Sequence, residues 1–268
     1  MRRLLPALCA GLLAVTATAQ DSAPLPGAEL RNGYAFDYPL ILAQQRLFGI
    51  AHGVELLAAA CRALPPEAAA VPEAAYALWR VRQEASIAAA RSDLSEYYFG
   101  RADASAQEVA RKLALKEALD LAPEQLEPAC ASLPEALQQP RYDLGARFHL
   151  EELMARAVAA TETAARERAC RPLFTGELLE LHDVRYQLWQ EINQPLLEQG
   201  NRELAEAWPP DAPAPTFEQW YAELQGRTQA GGRLAQCIDF SEGLKRPEAG
   251  LRNVFRKPAP LQSTPSPQ

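Results

Sequence analysis

The chain has 268 residues, 48% of them hydrophobic and 23% charged, which is the make-up of a globular protein of one or two domains. Its 27 basic and 34 acidic residues leave a formal charge of −7. The most basic stretch, Lys245, Arg246, Arg252, Arg256 and Lys257, is interrupted by Glu248. It is too dilute to track a phosphate backbone, so nucleic acid is excluded as a partner.

Residues 1–19 read as an address. Arg2 and Arg3 are followed by an almost wholly apolar run over 4–15, and Ala17 and Ala19 supply the small residues of a cleavage site before Gln20. That order is the pattern of a secretory signal peptide. The run is shorter than the roughly 20 residues that span a bilayer, and no later stretch is long and apolar enough, so no transmembrane segment is expected. Cleavage removes two arginines and no acid, which leaves the exported chain more acidic. It also removes Cys9 and leaves Cys61, Cys130, Cys170 and Cys237. An even cysteine count in an exported chain points to disulfides. The expected location is the periplasm, or outside the cell beyond it.

Residues 20–33 read as a loose leader. Beyond them the Ala, Leu, Glu, Gln and Arg content favours helix, and no stretch alternates with the period of a strand. Pro39 opens a first helix running through Cys61, with Asp37 or Tyr38 just ahead of it. Pro72 is expected to open the second, which carries Tyr76, Trp79, Ile87, Ala90, Leu94 and Tyr97 at three- and four-residue spacing. Ser105 with Glu108 forms a capping box for a third. Pro123 and Pro128 bracket a turn before a short helix around Cys130. Further on, Pro195 lies inside a helix carrying Trp189, where it should kink that helix, and Thr216 with Gln219 makes a second capping box. Residues 258–268, rich in Pro, Ser and Gln, have the composition of a disordered tail.

The chain also resembles itself. Cys130, Glu135, Leu137, Pro140 and Leu144 recur as Cys237, Glu242, Leu244, Pro247 and Leu251, at identical offsets. Tyr76, Leu78 and Trp79 recur as Tyr186, Leu188 and Trp189; Leu94 and Glu96 recur as Leu204 and Glu206. The blocks keep their order: Trp79 follows Cys61 by 18 residues and Trp189 follows Cys170 by 19. Scattered leucines match by chance; cysteine, tryptophan and proline in one order do not. The reading is an all-α protein of two tandem helical units, 34–144 and 145–257. Of the three possible cystine pairings, the duplication selects Cys61–Cys130 and Cys170–Cys237. Each closes a loop of similar length, and loop entropy alone gives about 4 kcal/mol per bridge.

Chemistry-bearing motifs are sparse. No C-x-x-C, H-E-x-x-H, G-x-S-x-G, P-loop or dinucleotide glycine pattern occurs, so no cofactor is expected. His52 with Glu55, and His149 with Glu152, share helix faces, but the two histidines do not match between the units, and surface pairing explains them better than metal. Glu96 with Glu206, and Glu135 with Glu242, are repeat-equivalent carboxylates. They offer an acid–base pair for a hydrolase of an envelope substrate. The competing reading gives Glu96 and Glu206 to helix ends, and Glu135 and Glu242 to the first turn of a short helix, where the dipole favours them. Tyr76, Trp79, Tyr186 and Trp189 read as core anchors. Tyr97, Tyr98 and Phe99, with Trp208, Trp220 and Tyr221, are adjacent aromatics that point in different directions and are hard to bury together. They are the candidate lining of a groove between helices. The functional expectation is a non-enzymatic binding or interaction protein whose partner is a protein or a small apolar ligand in the cell envelope.

Overall fold

The computed structural model describes residues 32–35, 38–119, 121–207 and 233–258. Among them every regular element is helical: α1 (Pro39–Cys61), α2 (Pro66–Phe99), α3 (Ala106–Lys112), α4 (Pro123–Ala136), α5 (Leu144–Cys170), α6 (Glu177–Ala207), α7 (Arg233–Gly243) and α8 (Pro247–Arg252). Short 3-10 turns at Pro140–Tyr142 and Arg171–Leu173 lead into α5 and α6. The all-α expectation holds. The expected signal peptide, the second capping box at Thr216 and the tail beyond Pro258 lie outside the described residues.

α1 is the pivot of the bundle. It packs along α2, α4 and α5, and Leu40, Ile41, Leu47, Phe48, Val54 and Ala58 are all buried along it. Pro39 stands in its first turn with Tyr38 as N-cap, where the missing N–H costs nothing. The fully buried Gln45 makes a polar anchor in this apolar surround. Its side-chain oxygen accepts from the Ala35 N–H at 2.9 Å, and its amide donates to the Gly33 carbonyl and to the Tyr98 hydroxyl. Tyr98 Oη donates in turn to Gly33 O, so the segment before α1 is held against the core.

The second helix departs from expectation. α2 begins at Pro66, and Pro72 lies buried inside it. Pro72 removes one bond, to the carbonyl of Ala68, at a cost of about 3 kcal/mol; packing against α1 offsets it. The stripe itself is as expected: Trp79, Ala90 and Leu94 are buried, with Tyr76, Ile87 and Tyr97 half-buried. Gly100, at φ 67°, ends the helix in the left-handed conformation glycine permits. On the opposite side, Val71, Leu78 and Val81 are exposed.

α3 starts at the expected capping box. Ser105 Oγ accepts from the Glu108 N–H, and the Glu108 carboxylate accepts from the Ser105 N–H at 2.7 Å. α4 also corrects the sequence reading: Pro123 is its first residue, and the helix continues through Pro128 and Pro134 to Ala136. The Cys61–Cys130 bridge and the buried Cys130 and Leu133 hold it in place. Because α4 and α7 begin well before their cysteines, Glu135 and Glu242 sit in the last turns, not in the first turns where the dipole would favour them.

α5 is capped by Asp143, whose carboxylate accepts from the Ala146 N–H at 3.1 Å. Its first residue, Leu144, is fully buried and donates its N–H to Gln83 Oε1 at 3.0 Å. α5 packs on α1 and α2 on one side and on α6, α7 and α8 on the other. The Arg46–Glu151 ion pair joins it to α1. α6 runs through Pro195, as expected for the helix that carries Trp189.

Three apolar clusters result among the described residues. The largest gathers α1, α2, α3 and α4 around Trp79, Leu94, Tyr98 and Val109. Two smaller ones surround Cys170, Phe174 and Cys237, and Trp189, Leu244 and Leu251; half-buried Phe240 touches both.

Candidate functional site

The two expected bridges are present, Cys61–Cys130 and Cys170–Cys237, with sequence separations of 69 and 67. Each joins the end of a long helix (α1 or α5) to a shorter one (α4 or α7). Beside the second bridge lies a cleft of about 630 Å³. Thr163, Arg166, Ala169 and Cys170 of α5 form one wall, and Arg233, Gln236, Cys237, Asp239 and Phe240 of α7 form another. Trp189 of α6 lies within it, and Leu244, Arg246 and Gly250 close the far end.

The cleft's polar groups are mostly donors. Arg166 pairs with Glu162 one turn away. Arg233 donates to the Ala169 carbonyl at 3.1 Å, while its buried Nε has no hydrogen-bond partner among the described residues. Arg246 has no ion pair among those residues. Trp189 is 6% exposed, and its indole N–H edge meets Gly250, where an added Cβ would lie 3.1 Å from Nε1. Trp189 makes no indole hydrogen bond within the described chain, whereas Trp79 Nε1 donates to the Tyr142 carbonyl at 2.8 Å. Asp239 is the one acidic residue lining the cleft among the described residues.

Behind the disulfide, His182 is fully buried, with Nε2 2.5 Å from Glu167 Oε2. Phe174, Tyr186 and Phe240 surround its ring. Burial, with the Glu167 charge adding, pushes the Tyr186 phenol above its ordinary value.

Of the six residues of the sequence-derived groove, Tyr97, Tyr98 and Phe99 fall within the described chain. Tyr98 is a core residue at 0% exposure and cannot line a surface; its hydroxyl found partners in Gln45 and Gly33 that no periodicity reveals. Tyr97 is half-buried, edge-on to Tyr38 and Tyr98. Phe99 is half-buried, with Arg101 and Lys112 over its ring. Trp208, Trp220 and Tyr221 lie outside the described residues. Trp79 and Trp189 are buried, with Tyr76 and Tyr186 stacked on them, as core anchors should be.

Two of the four candidate carboxylates are tied to cations. Exposed Glu96 lies 3.4 Å from Lys257. Glu242 engages Lys245 and lies 3.0 Å from Arg185; the Lys245 hydrogen bond, then the Arg185 charge, hold it below its usual range. Glu135 and Glu206 are exposed. His52 Nε2 meets the Lys116 carbonyl at 2.8 Å, and His149 meets Glu203 at 2.6 Å. Among the described residues no three His, Cys, Asp or Glu side chains gather as a metal site would require.

Sequence reasoning missed the cleft because it takes side chains from four successive described helices, between Thr163 and Gly250, whose packing no local pattern reveals. One signal was available: Arg166 and Arg233 each stand four residues before a cysteine of the second bridge. Comparison with family models, curated proteins and solved structures returns no match, so the functional reading rests on residues and geometry.

Proposed function

We propose that the chain is an exported, non-enzymatic binding protein of two tandem helical units, with the cleft beside Cys170–Cys237 as its ligand site. The cleft carries the binding reading. Its volume, about 630 Å³, falls in the range of small-molecule sites, and an apolar floor with a few polar groups is their usual chemistry. A small ligand of the cell envelope is therefore favoured over a protein partner.

The tandem reading is supported by features that core packing does not dictate. Val71 and Leu181 each stand eight residues before their tryptophan, Leu78 and Leu188 each one residue before, and all four are exposed. Convergent burial patterns have no reason to match exposed positions. Export is supported by residues 1–19 and by two disulfides, which persist in oxidising compartments. No described helix is long and apolar enough to cross a membrane. The hydrolase alternative has weaker support, since Glu96 and Glu242 are engaged by cations and not held in an apolar cleft.

A neutral apolar dye, Nile red, tests the site. Gly243 lines the cleft, and a Cβ there meets nothing within 4 Å, so Gly243→Trp can be introduced without a clash at its Cβ to block the cleft. Wild type should bind one dye per chain, and Gly243→Trp should lose that binding while keeping its melting temperature. No binding by wild type, or binding untouched in Gly243→Trp, would overturn the reading.

A further inference from the structure

The two disulfides have different neighbours one helical turn earlier. Before Cys61 and Cys130 stand Leu57 and Leu126, both packed against the large core. At the same offset before Cys170 and Cys237 stand Arg166 and Arg233, both lining the cleft. Seven residues before, buried Val54 in the first half answers to Thr163 in the second. A residue four before a cysteine shares its helix face, and across the second bridge the two such residues line one cleft. In the first half that face is closed by leucine. In the second half it is open and cationic.

Three further observations give the opening a direction. The chain is acidic overall, at −7, yet among the described residues three arginines and one aspartate line this cleft. Trp189, more than nine-tenths buried, keeps an unbonded indole N–H at the Gly250 end. The floor between these donors is Trp189, Phe240, Leu244 and the disulfide, all apolar. Guanidinium and indole N–H donate and cannot accept, so the matching group on a ligand is an acceptor and, opposite three arginines, an anion.

We propose that the cleft binds an amphiphilic anion, an apolar body with a carboxylate or phosphate head, and that Arg166, Arg233, Arg246 and the Trp189 indole select it. The inference rests on the ligand-site reading above and names its ligand class. The head sits among the guanidinium groups, and the chain lies along Phe240 and Leu244. Arg246, which has no ion pair to give up within the described chain, is the cation most available to it.

Calorimetric titration of the intact oxidised protein with dodecanoate, dodecyl phosphate and dodecanol, each below its micelle concentration, tests this. Both anions should bind one per chain, at least about tenfold tighter than the alcohol. Arg246→Gln and Arg166→Gln should each weaken anion binding several-fold and leave dodecanol unchanged. Trp189→Phe, which keeps an aromatic ring and removes the N–H, should weaken the anions as well. A preference for one head identifies carboxylate or phosphate as the natural group. Equal binding of dodecanol and the anions, or arginine variants with no effect, overturns the ligand class and leaves the cleft reading standing. No binding of any of the three, together with no Nile red binding, overturns both.

Discussion

Gly250 lies so close to the edge of Trp189 that a single added carbon would come within 3.1 Å of Nε1. α8 therefore approaches α6 at a place where only glycine leaves the indole undisturbed. Gly250→Ala should lower unfolding free energy by about 1 kcal/mol through overpacking. Gly243→Ala, with open space at its Cβ, should be neutral or stabilising, since alanine favours helix over glycine by up to about 1 kcal/mol. Urea unfolding of both variants checks the contrast; equal effects would mean that α8 is not seated on Trp189.

The two faces of α2 should respond oppositely. Leu94 is fully buried, while Leu78 is 69% exposed. Leu94→Ala should cost about 2–5 kcal/mol from lost burial and the cavity left behind. Leu78→Gln should fall within about 0.5 kcal/mol of wild type. A large loss in Leu78→Gln, read by chemical denaturation of the monomer, would mean that this face packs against something within the chain.

Paired replacement of each bridge tests the sulfur framework. With sequence separations of 69 and 67, loop entropy gives similar losses for Cys61→Ala with Cys130→Ala and for Cys170→Ala with Cys237→Ala, about 4 kcal/mol each. Denaturant midpoints measured under oxidising conditions give the comparison. Free thiols in the native wild type, or losses differing by more than about 2 kcal/mol, would contradict it.

Alkaline stability should follow the buried phenols. Burial pushes Tyr98 well above its ordinary value, against the Gln45 hydrogen bond, which lowers it. Burial also raises Tyr76, with the Glu55 charge adding, and Tyr186, with Glu167 adding. The folded chain holds these protons more tightly than the unfolded chain does, so their contribution is complete below the unfolded value near 10. It is lost as pH rises through the folded values. The melting temperature should be level from about pH 7 to 9 and fall above about 10, less steeply in Tyr98→Phe. A level profile at high pH would contradict this assignment.

The parts of the fold that local chemistry governs were legible in the sequence. Pro39 starts α1, Ser105 and Glu108 start α3, and the repeated cysteine offsets give both bridges. Reading proline as a helix boundary failed at Pro72 and Pro128, because tertiary packing and a disulfide outweigh one lost backbone bond. Tyr98 was misread for a related reason: whether a phenol can be buried depends on distant partners, here the Gly33 carbonyl that accepts from it and the Gln45 amide that donates to it. The cleft's one sequence signal, an arginine four residues before each of two cysteines, carries no local meaning. The cleft appears only once Cys170 and Cys237 are joined, which brings Arg166 and Arg233 to the same opening.

The indole N–H resonances of Trp189 and Trp79 compare the open and closed halves directly. In a ¹⁵N-labelled sample titrated with dodecanoate, the Trp189 signal should move with saturation, because its N–H is unbonded within the described chain. The Trp79 signal should stay fixed, because its N–H already donates to Tyr142. A stationary Trp189, or a Trp79 that shifts equally, would contradict a ligand seated beside the second bridge.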